Sequence, residues 1–253
     1  MKISVADFFK PIQFTGDFSE KIHPKIESFI QFAKAISQMT YQSLYIVDYF
    51  KRGFIYVSDN PLFLCGTRPE QVLKEGYLFY FRNVPQKDLE MLLKINEAGF
   101  SFFKKLPKKD RLKYSISYDF HLKQPKGNLM LINHKLKPLL LDQYDSPWIA
   151  LCLVSLSSNN QAGNVRFKNS ELKKFYELDL DKNEWKESKN IVLNNREKDI
   201  LMLSVQGLTM DKIAAKLFLS IDTIKFHKRN IFQKLNVKNI AEAIAVAMDL
   251  AII

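Results

Sequence analysis

Four short helical segments, each preceded by a capping residue, follow one another from residue 191 to residue 253. The predicted caps are Asn195, Thr209, Ser220 and Asn239. The segments that follow them end near Gln206, Leu217, Leu235 and Leu250. Such side chains accept hydrogen bonds from the free N–H groups of a first helical turn, and Gly207 is suited to end the first segment. Since a short turn joins the second segment to a basic, amphipathic third one, we predict an all-α, four-helix domain with a helix-turn-helix.

The third predicted helix, residues 221–235, has an apolar face and a polar face. Its apolar positions are Ile224, Ile231 and Leu235, which are expected to face the core. The side chains on the opposite face are Asp222, Lys225, Phe226, Arg229 and Gln233. Lysine and arginine can read guanine edges, glutamine can read adenine, and a phenyl ring can touch a thymine methyl group. This composition predicts a surface that faces the bases of a DNA major groove.

The flanks of the same face are expected to lie beside the phosphates. The predicted phosphate-side residues are Thr223, His227, Lys228 and Lys234, together with Thr209 at the start of the second helix. Residues 220–238 contain five lysines or arginines and one acid, so the positive charge of the domain is concentrated at this helix. The whole chain carries a net charge of +11. Charge alone more often marks a solvated surface, so the residue pattern has to support DNA binding.

That pattern resembles the LuxR-type helix-turn-helix, which is also found in NarL-like regulators. The matching residues are Leu193, Arg196, Glu197, Ile200, Leu201, Gln206, Gly207, Leu208, Thr209, Ile213, Ala214, Leu217, Ser220, Thr223, Ile224, Lys225, His227, Ile231, Lys234, Leu235 and Val237. The resemblance covers about a quarter of the chain and implies sequence-specific binding of double-stranded DNA as a dimer. The departures are Asn194 in place of a usual threonine, Met210-Asp211-Lys212, and Ile240 in place of a common arginine.

The resemblance also implies roles for individual residues. Positions matching Lys225, Phe226 and Arg229 touch bases, and those matching Thr223, His227 and Lys234 are phosphate-side or structural. Glu197, Leu201 and Gly207 match positions that hold the fold. A fourth helix of this kind, here residues 241–250, often forms a dimer contact on DNA.

The sequence before this domain changes from helical to strand patterns. We predict an N-terminal helical extension over 1–40, with a helix from His23 whose apolar face includes Ile22. Residues 41–157 are predicted to contain two strands, several short helices, a longer helix ending near Gly99 or a little beyond, and three long antiparallel strands. Residues 158–190 are predicted to form a β-hairpin and a linker, so that 191–253 is the last domain. The fold class is α+β.

The predicted order of elements in 41–157 resembles a PAS-like sensor or dimerisation domain. Two other input domains fit less well. A phosphoacceptor receiver would have an acidic pair before Asp48, which this sequence lacks. It would also have strands that alternate with helices, whereas the strands here are predicted to be antiparallel. An acyl-homoserine-lactone domain would need a tryptophan and tyrosine array that Trp148 and Trp185 do not form. The PAS resemblance implies a small ligand of unknown identity, for which no binding residue is predicted; the abundant aromatic residues suit either a pocket or an ordinary core.

Other function classes have no support in the sequence. No phosphate-binding glycine loop, nucleophile elbow or metal-ligand spacing occurs, so we expect no enzyme activity, no metal and no bound cofactor. Cys65 and Cys152 are expected to be free buried thiols. No apolar run approaches the ~20 residues of a membrane span, and we expect a cytoplasmic protein. The candidate protein partners are a second copy of this chain, in a homodimer, and RNA polymerase. The alternative to a transcriptional regulator is a ligand-binding signalling module whose helical tail makes only protein–protein contacts.

Overall fold

The computed structural model describes residues 3–12, 24–169, 171, 175–187, 191–250 and 252–253. The chain divides into two compact units, residues 1–187 and 188–253. Ile22 and His23 of the predicted first helix lie outside the described residues, as do residues 188–190 of the predicted linker. None of the described helices is long and apolar enough to cross a membrane.

The first unit is built on one antiparallel sheet of eight strands in the order β2-β1-β5-β4-β3-β6-β7-β8. The strands are β1 Ser43–Asp48, β2 Gly53–Val57, β3 Tyr114–Lys123, β4 Leu129–Leu141, β5 Pro147–Leu156, β6 Gly163–Asn169, β7 Phe175–Asp179 and β8 Glu184–Glu187. Strands β1 to β5 with the helices between β2 and β3 have the order of the predicted PAS-like domain, and that prediction is confirmed.

One face of this sheet carries the main apolar core. The helices between β2 and β3 are α3 Pro61–Leu64, α4 Pro69–Glu75, α5 Leu78–Asn83 and α6 Gln86–Lys105. Phe63, Phe79 and Phe120 are fully buried between these helices and the sheet. Burying such rings removes large apolar areas from water, at roughly 25 cal/mol per Å², so this face holds the unit together.

Helix α6 continues through Gly99 to Lys105, so it ends beyond Gly99, as the sequence pattern allows. Gly99 is buried, and a Cβ atom there would lie 3.1 Å from the Cδ1 atom of Ile116 on β3. The glycine therefore allows the helix and the strand to approach closely. A glycine can end a helix through a left-handed conformation, but here the residue has a packing role instead.

Two N-terminal helices cover different parts of the first unit. Helix α2, Pro24–Ser37, packs Ile26 and Ala33 against Ile46 and Ile149 on the other face of the sheet. The short helix α1, Val5–Phe9, was not predicted from sequence. It buries Phe8 and Phe9 among the aromatic rings of the main core.

The predicted hairpin near residues 165–185 is instead three strands of the main sheet. Strand β6 pairs with β3 from Tyr114 to Asp119, and β7 and β8 extend the sheet from there. The Trp185 indole Nε1 donates a hydrogen bond to the carbonyl of Ala98 at 3.3 Å. This contact anchors the last strand to helix α6, so the segment is integral to the first unit.

The basic run at residues 104–113 is mostly structural. Arg111 is buried, and its guanidinium donates to the carbonyls of Lys104, Leu106 and Asp145. Arg111 thereby binds carbonyl groups at the end of helix α6, which have no partner within the helix.

The second unit consists of four helices: α7 Asn195–Val205, α8 Met210–Leu217, α9 Ile221–Leu235 and α10 Ile240–Asp249. Its core contains Ile200, Leu201, Ile213, Ile224, Ile231, Leu235, Ala243 and Ala247. The turn between α8 and α9 contains Phe218 in the left-handed conformation, with φ of 56°. The predicted all-α, four-helix fold is confirmed.

Candidate nucleic-acid interface and buried cavity

Helix α9 exposes every residue of its predicted base-facing surface. Its apolar side is buried through Ile224, Ile231 and Leu235, which fixes the rotation of the helix against α7, α8 and α10. The exposed residues on the opposite side are Asp222, Lys225, Phe226, Arg229 and Gln233. Phe226 leaves 56% of its surface exposed although it is aromatic. A helix with this outward face has the shape and chemistry to enter a major groove.

The cations of this surface differ in whether they have an ion-pair partner. The Lys225 ammonium lies 3.1 Å from a carboxylate oxygen of Asp222, one turn earlier on α9. Among the described residues, neither Arg229 nor Lys228 has an ion-pair partner. Arg229 can therefore contact a base without breaking an ion pair, whereas Lys225 would exchange Asp222 for a base.

The helix N-termini near this surface are organised by hydroxyl groups. Ser220 caps α9, because its Oγ accepts from the backbone N–H of Thr223 at 3.1 Å. The two hydroxyls also lie 2.8 Å apart. Thr209 precedes α8 as predicted, but its side chain makes no capping bond and is exposed. Its hydroxyl therefore stays free to bind a phosphate, as helix N-termini commonly do.

Lys234 has a partner within its own unit. Its ammonium lies 2.7 and 2.9 Å from the two carboxylate oxygens of Glu197, which is 1% exposed. The pair joins α9 to α7. This contact gives Lys234 a structural role, and its predicted phosphate contact would have to be made by an ammonium already held by Glu197.

The N-cap of α7 is Asn194, and the prediction of Asn195 is wrong by one residue. The Asn194 side chain accepts from the Glu197 backbone N–H at 2.8 Å, and Glu197 accepts from the Asn194 N–H at 2.9 Å. This reciprocal arrangement is a capping box. Asn194, which stands where the resemblance leads us to expect threonine, thus caps α7.

Replacing Asn194 with alanine removes one half of this box. We expect the second unit to lose about 1 kcal/mol of stability, the usual cost of deleting an N-cap side chain. Thermal unfolding followed by circular dichroism measures the change. Asn195→Ala is the matched control, and an equal loss in both variants would contradict the assignment.

His227 lies between the exposed and the buried face of α9. It is half-buried, and its ring centroid is 5.7 Å from that of Phe226. Its Nδ1 atom is buried and has no hydrogen-bond partner among the described residues. The phosphate contact of His227 stays a prediction.

The first unit contains a cavity of about 80 Å³ between the sheet and its helices. It is lined on the sheet side by Tyr45, Tyr118, His134 and Cys152 and on the helix side by Phe8, Tyr77, Tyr80, Asn96 and Phe100, among others. No lysine, arginine, aspartate or glutamate lies among the described residues that line it. At roughly 10–15 Å³ per water, the cavity has room for about six water molecules or a small organic molecule.

A chain of hydrogen bonds runs along one wall of this cavity. The Tyr45 hydroxyl lies 2.5 Å from the Nε2 atom of His134 and also bonds the Tyr80 hydroxyl. Burial lowers the pKa of His134 from 6.5 to about 3, so the ring is neutral at physiological pH. Burial also raises the pKa of Tyr45 and Tyr80 well above the usual value, so both stay protonated.

The buried imidazole makes the stability of the first unit depend on pH. His134 binds a proton near pH 6.5 when unfolded but only near pH 3 when folded. The unfolded state therefore binds more protons between these values, and stability falls as pH drops from 6.5 towards 3. Asp48 and Asp119 have the opposite effect on stability. Burial raises their pKa, so the folded state binds their protons more readily and gains stability as pH drops. As pH drops through this window, we expect His134→Phe to lose less stability than wild type, measured by tryptophan fluorescence as the midpoint denaturant concentration.

The sequence did not identify the cavity. The three residues of its hydrogen-bond chain come from β1, α5 and β4, which are far apart in the sequence. Only the abundance of aromatic residues pointed to a pocket. Both cysteines are free and buried, as predicted. Burial raises the pKa of the Cys65 thiol to about 11, which makes it a poor nucleophile. No group of residues able to hold a metal ion occurs in the part of the chain that the structure describes.

The arrangement of α8, turn and α9 defines the second unit as a helix-turn-helix domain. Residues 191–247 match the family described as bacterial regulatory proteins, luxR family. The oxygen regulatory protein NreC of Staphylococcus carnosus is 42% identical over 57 residues, which are 22% of this chain and 26% of that protein. The second unit is therefore a LuxR-type domain, and the chain spans about a quarter of the length of the curated relatives it matches.

Two solved structures are similar to larger parts of the chain. A structure of the Vibrio cholerae VqmA dimer covers 90% of this chain and 88% of that one, at 14% identity and a TM-score of 0.33. A PAS domain from Colwellia psychrerythraea covers 52% of this chain and 96% of that one, at 11% identity and a TM-score of 0.37.

Proposed function

We propose that this protein is a bacterial, sequence-specific DNA-binding transcriptional regulator that acts as a homodimer in the cytoplasm. The observation that carries the proposal is the exposed face of α9, with Lys225, Phe226, Arg229 and Gln233 directed away from the core. These side chains can contact base edges while Thr209, Thr223 and Lys228 reach phosphates. Dimers of such domains bind paired half-sites. RNA polymerase is a further proposed partner, and no catalytic role is proposed.

Selection of DNA from a random pool tests this function. The full chain is mixed with random duplexes at moderate salt, and the bound duplexes are sequenced after several rounds. We expect enrichment of a two-fold symmetric motif. If no duplex is enriched, the helical unit acts in protein–protein contacts, which is the alternative function.

Salt dependence also separates these two functions, because DNA binding weakens steeply as salt rises and an apolar helix contact does not. Each phosphate neutralised by a cation contributes about −0.9 to the slope of log affinity against log salt. We expect Lys228→Gln to make this slope shallower by about 0.9, measured by fluorescence anisotropy on a selected duplex. Lys74→Gln is the control, since Lys74 is an exposed residue of the first unit. Equal slopes in Lys228→Gln and wild type would remove Lys228 from the interface.

We further propose that the first unit senses a small neutral molecule in its cavity. The cavity is supported as a ligand site by its apolar rings and by several polar groups that converge on one space. Without a charged residue in the described lining, a charged ligand would lose its hydration with no compensating ion pair. DNA selection in the presence and absence of a bacterial metabolite extract tests whether such a molecule changes binding.

A further inference from the structure

The proton positions in the cavity wall can be assigned from the environment of His134. Its Nδ1 atom is buried and has no hydrogen-bond partner among the described residues, whereas Nε2 lies 2.5 Å from the Tyr45 hydroxyl. A neutral imidazole carries one proton. An orphaned buried N–H is rarer in proteins than an acceptor without a partner. The proton of His134 is therefore assigned to Nε2, which donates to Tyr45.

This assignment sets the direction of the whole chain of hydrogen bonds. A phenol hydroxyl has one proton to donate. The Tyr45 oxygen accepts from His134, so its own proton can go to the Tyr80 oxygen, with which it makes a close contact, or to the Cys152 sulfur. Because sulfur is the weaker acceptor, we assign this proton to the bond with Tyr80. The Tyr80 proton then has no acceptor among the described residues. Tyr80 lines the cavity, so the chain ends in a donor that belongs to a residue of the cavity wall.

We infer that the cavity takes a small, neutral molecule through an acceptor atom, a carbonyl oxygen or a ring nitrogen, which receives the hydrogen bond of Tyr80. The inference rests on the proposed ligand-binding function of the first unit. A buried donor without an acceptor is unfavourable, because it has lost its hydrogen bonds to water and gained none in the protein. A ligand with an acceptor removes this cost, and one without an acceptor does not. Tyr80 is thereby a specificity-determining residue, and Tyr45 and His134 are positioning residues.

Two aromatic probes of nearly equal shape test this inference. Pyridine has a ring nitrogen that accepts a hydrogen bond, and benzene does not. Both are titrated into the full chain at mildly alkaline pH, where pyridine is neutral, and binding is followed by saturation-transfer NMR. We expect pyridine to bind roughly three- to tenfold more tightly, the value of one net hydrogen bond.

Two variants test whether the Tyr80 hydroxyl causes the preference for pyridine over benzene. Tyr80→Phe should bind both probes equally, while Tyr56→Phe should keep the preference, because the Tyr56 hydroxyl bonds Ser37 outside the cavity lining. A ¹⁵N chemical shift of bound pyridine that moves in wild type and not in Tyr80→Phe gives a second readout of the bond.

Three results would overturn the inference: failure of both probes to bind, equal binding of both to wild type, or a preference that survives in Tyr80→Phe. Selection of DNA with the same preparation reports on the proposed regulatory function separately. A protein that selects a motif but shows no pyridine preference would lose only the inference about Tyr80.

Discussion

Lys234→Ala is expected to unfold the second unit at a markedly lower denaturant concentration than wild type, while the first unit unfolds as before. The substitution leaves the Glu197 carboxylate, which is 1% exposed, without its cation. Removing one partner of a fully buried ion pair costs about 3–5 kcal/mol. Because the Lys234 side chain is 41% exposed, we expect a smaller loss of about 2–4 kcal/mol.

The two units can be followed separately in the intact chain. Both tryptophans, Trp148 and Trp185, belong to the first unit, and residues 188–253 contain neither tryptophan nor tyrosine. Tryptophan fluorescence therefore reports the first unit, and the loss of helical circular dichroism at a different denaturant concentration reports the second. Lys216→Ala, at an exposed position of α8, controls for the general loss of a lysine. Equal midpoints for Lys234→Ala and Lys216→Ala would contradict the structural role of the ion pair.

The sequence predicted the second unit almost completely because its signals are local. Capping residues and apolar spacing are set by neighbours within one or two helical turns. The error of one residue at Asn194 arose because two adjacent asparagines can both cap, and the partner Glu197 decides between them. The pairing of Glu197 with Lys234 spans α7 and α9, so no local pattern could show it.

The sequence predicted the order of elements along the PAS-like part of the first unit, but it predicted neither the three further strands of the sheet nor the site. Alternation of apolar and polar residues located β3, and turn residues separated it from β4. The chain His134, Tyr45 and Tyr80 joins three elements whose side chains meet only when the sheet and helices pack together. Helix α1 was missed for the same reason: it is too short for a periodic signal and depends on burying Phe8 and Phe9 in tertiary contacts.

Arg229 provides the most direct test of how α9 reads DNA. If its guanidinium pairs with a guanine, Arg229→Ala should weaken binding to the selected motif by about 1–3 kcal/mol, or roughly five- to 150-fold. The folded state should be unaffected, because Arg229 is exposed and has no ion-pair partner among the described residues. Competition binding against the motif and against a scrambled duplex measures the change.

Arg229→Lys separates base recognition from charge. Lysine keeps the positive charge but lacks the planar fork that binds two acceptors of guanine at once. We therefore expect Arg229→Lys to bind the scrambled duplex as wild type does and the selected motif more weakly. If Arg229→Ala binds the motif as tightly as wild type does, the exposed face of α9 is not the recognition surface. If Arg229→Lys restores full affinity for the motif, Arg229 contributes charge alone, and discrimination between bases must come from Lys225, Phe226 or Gln233.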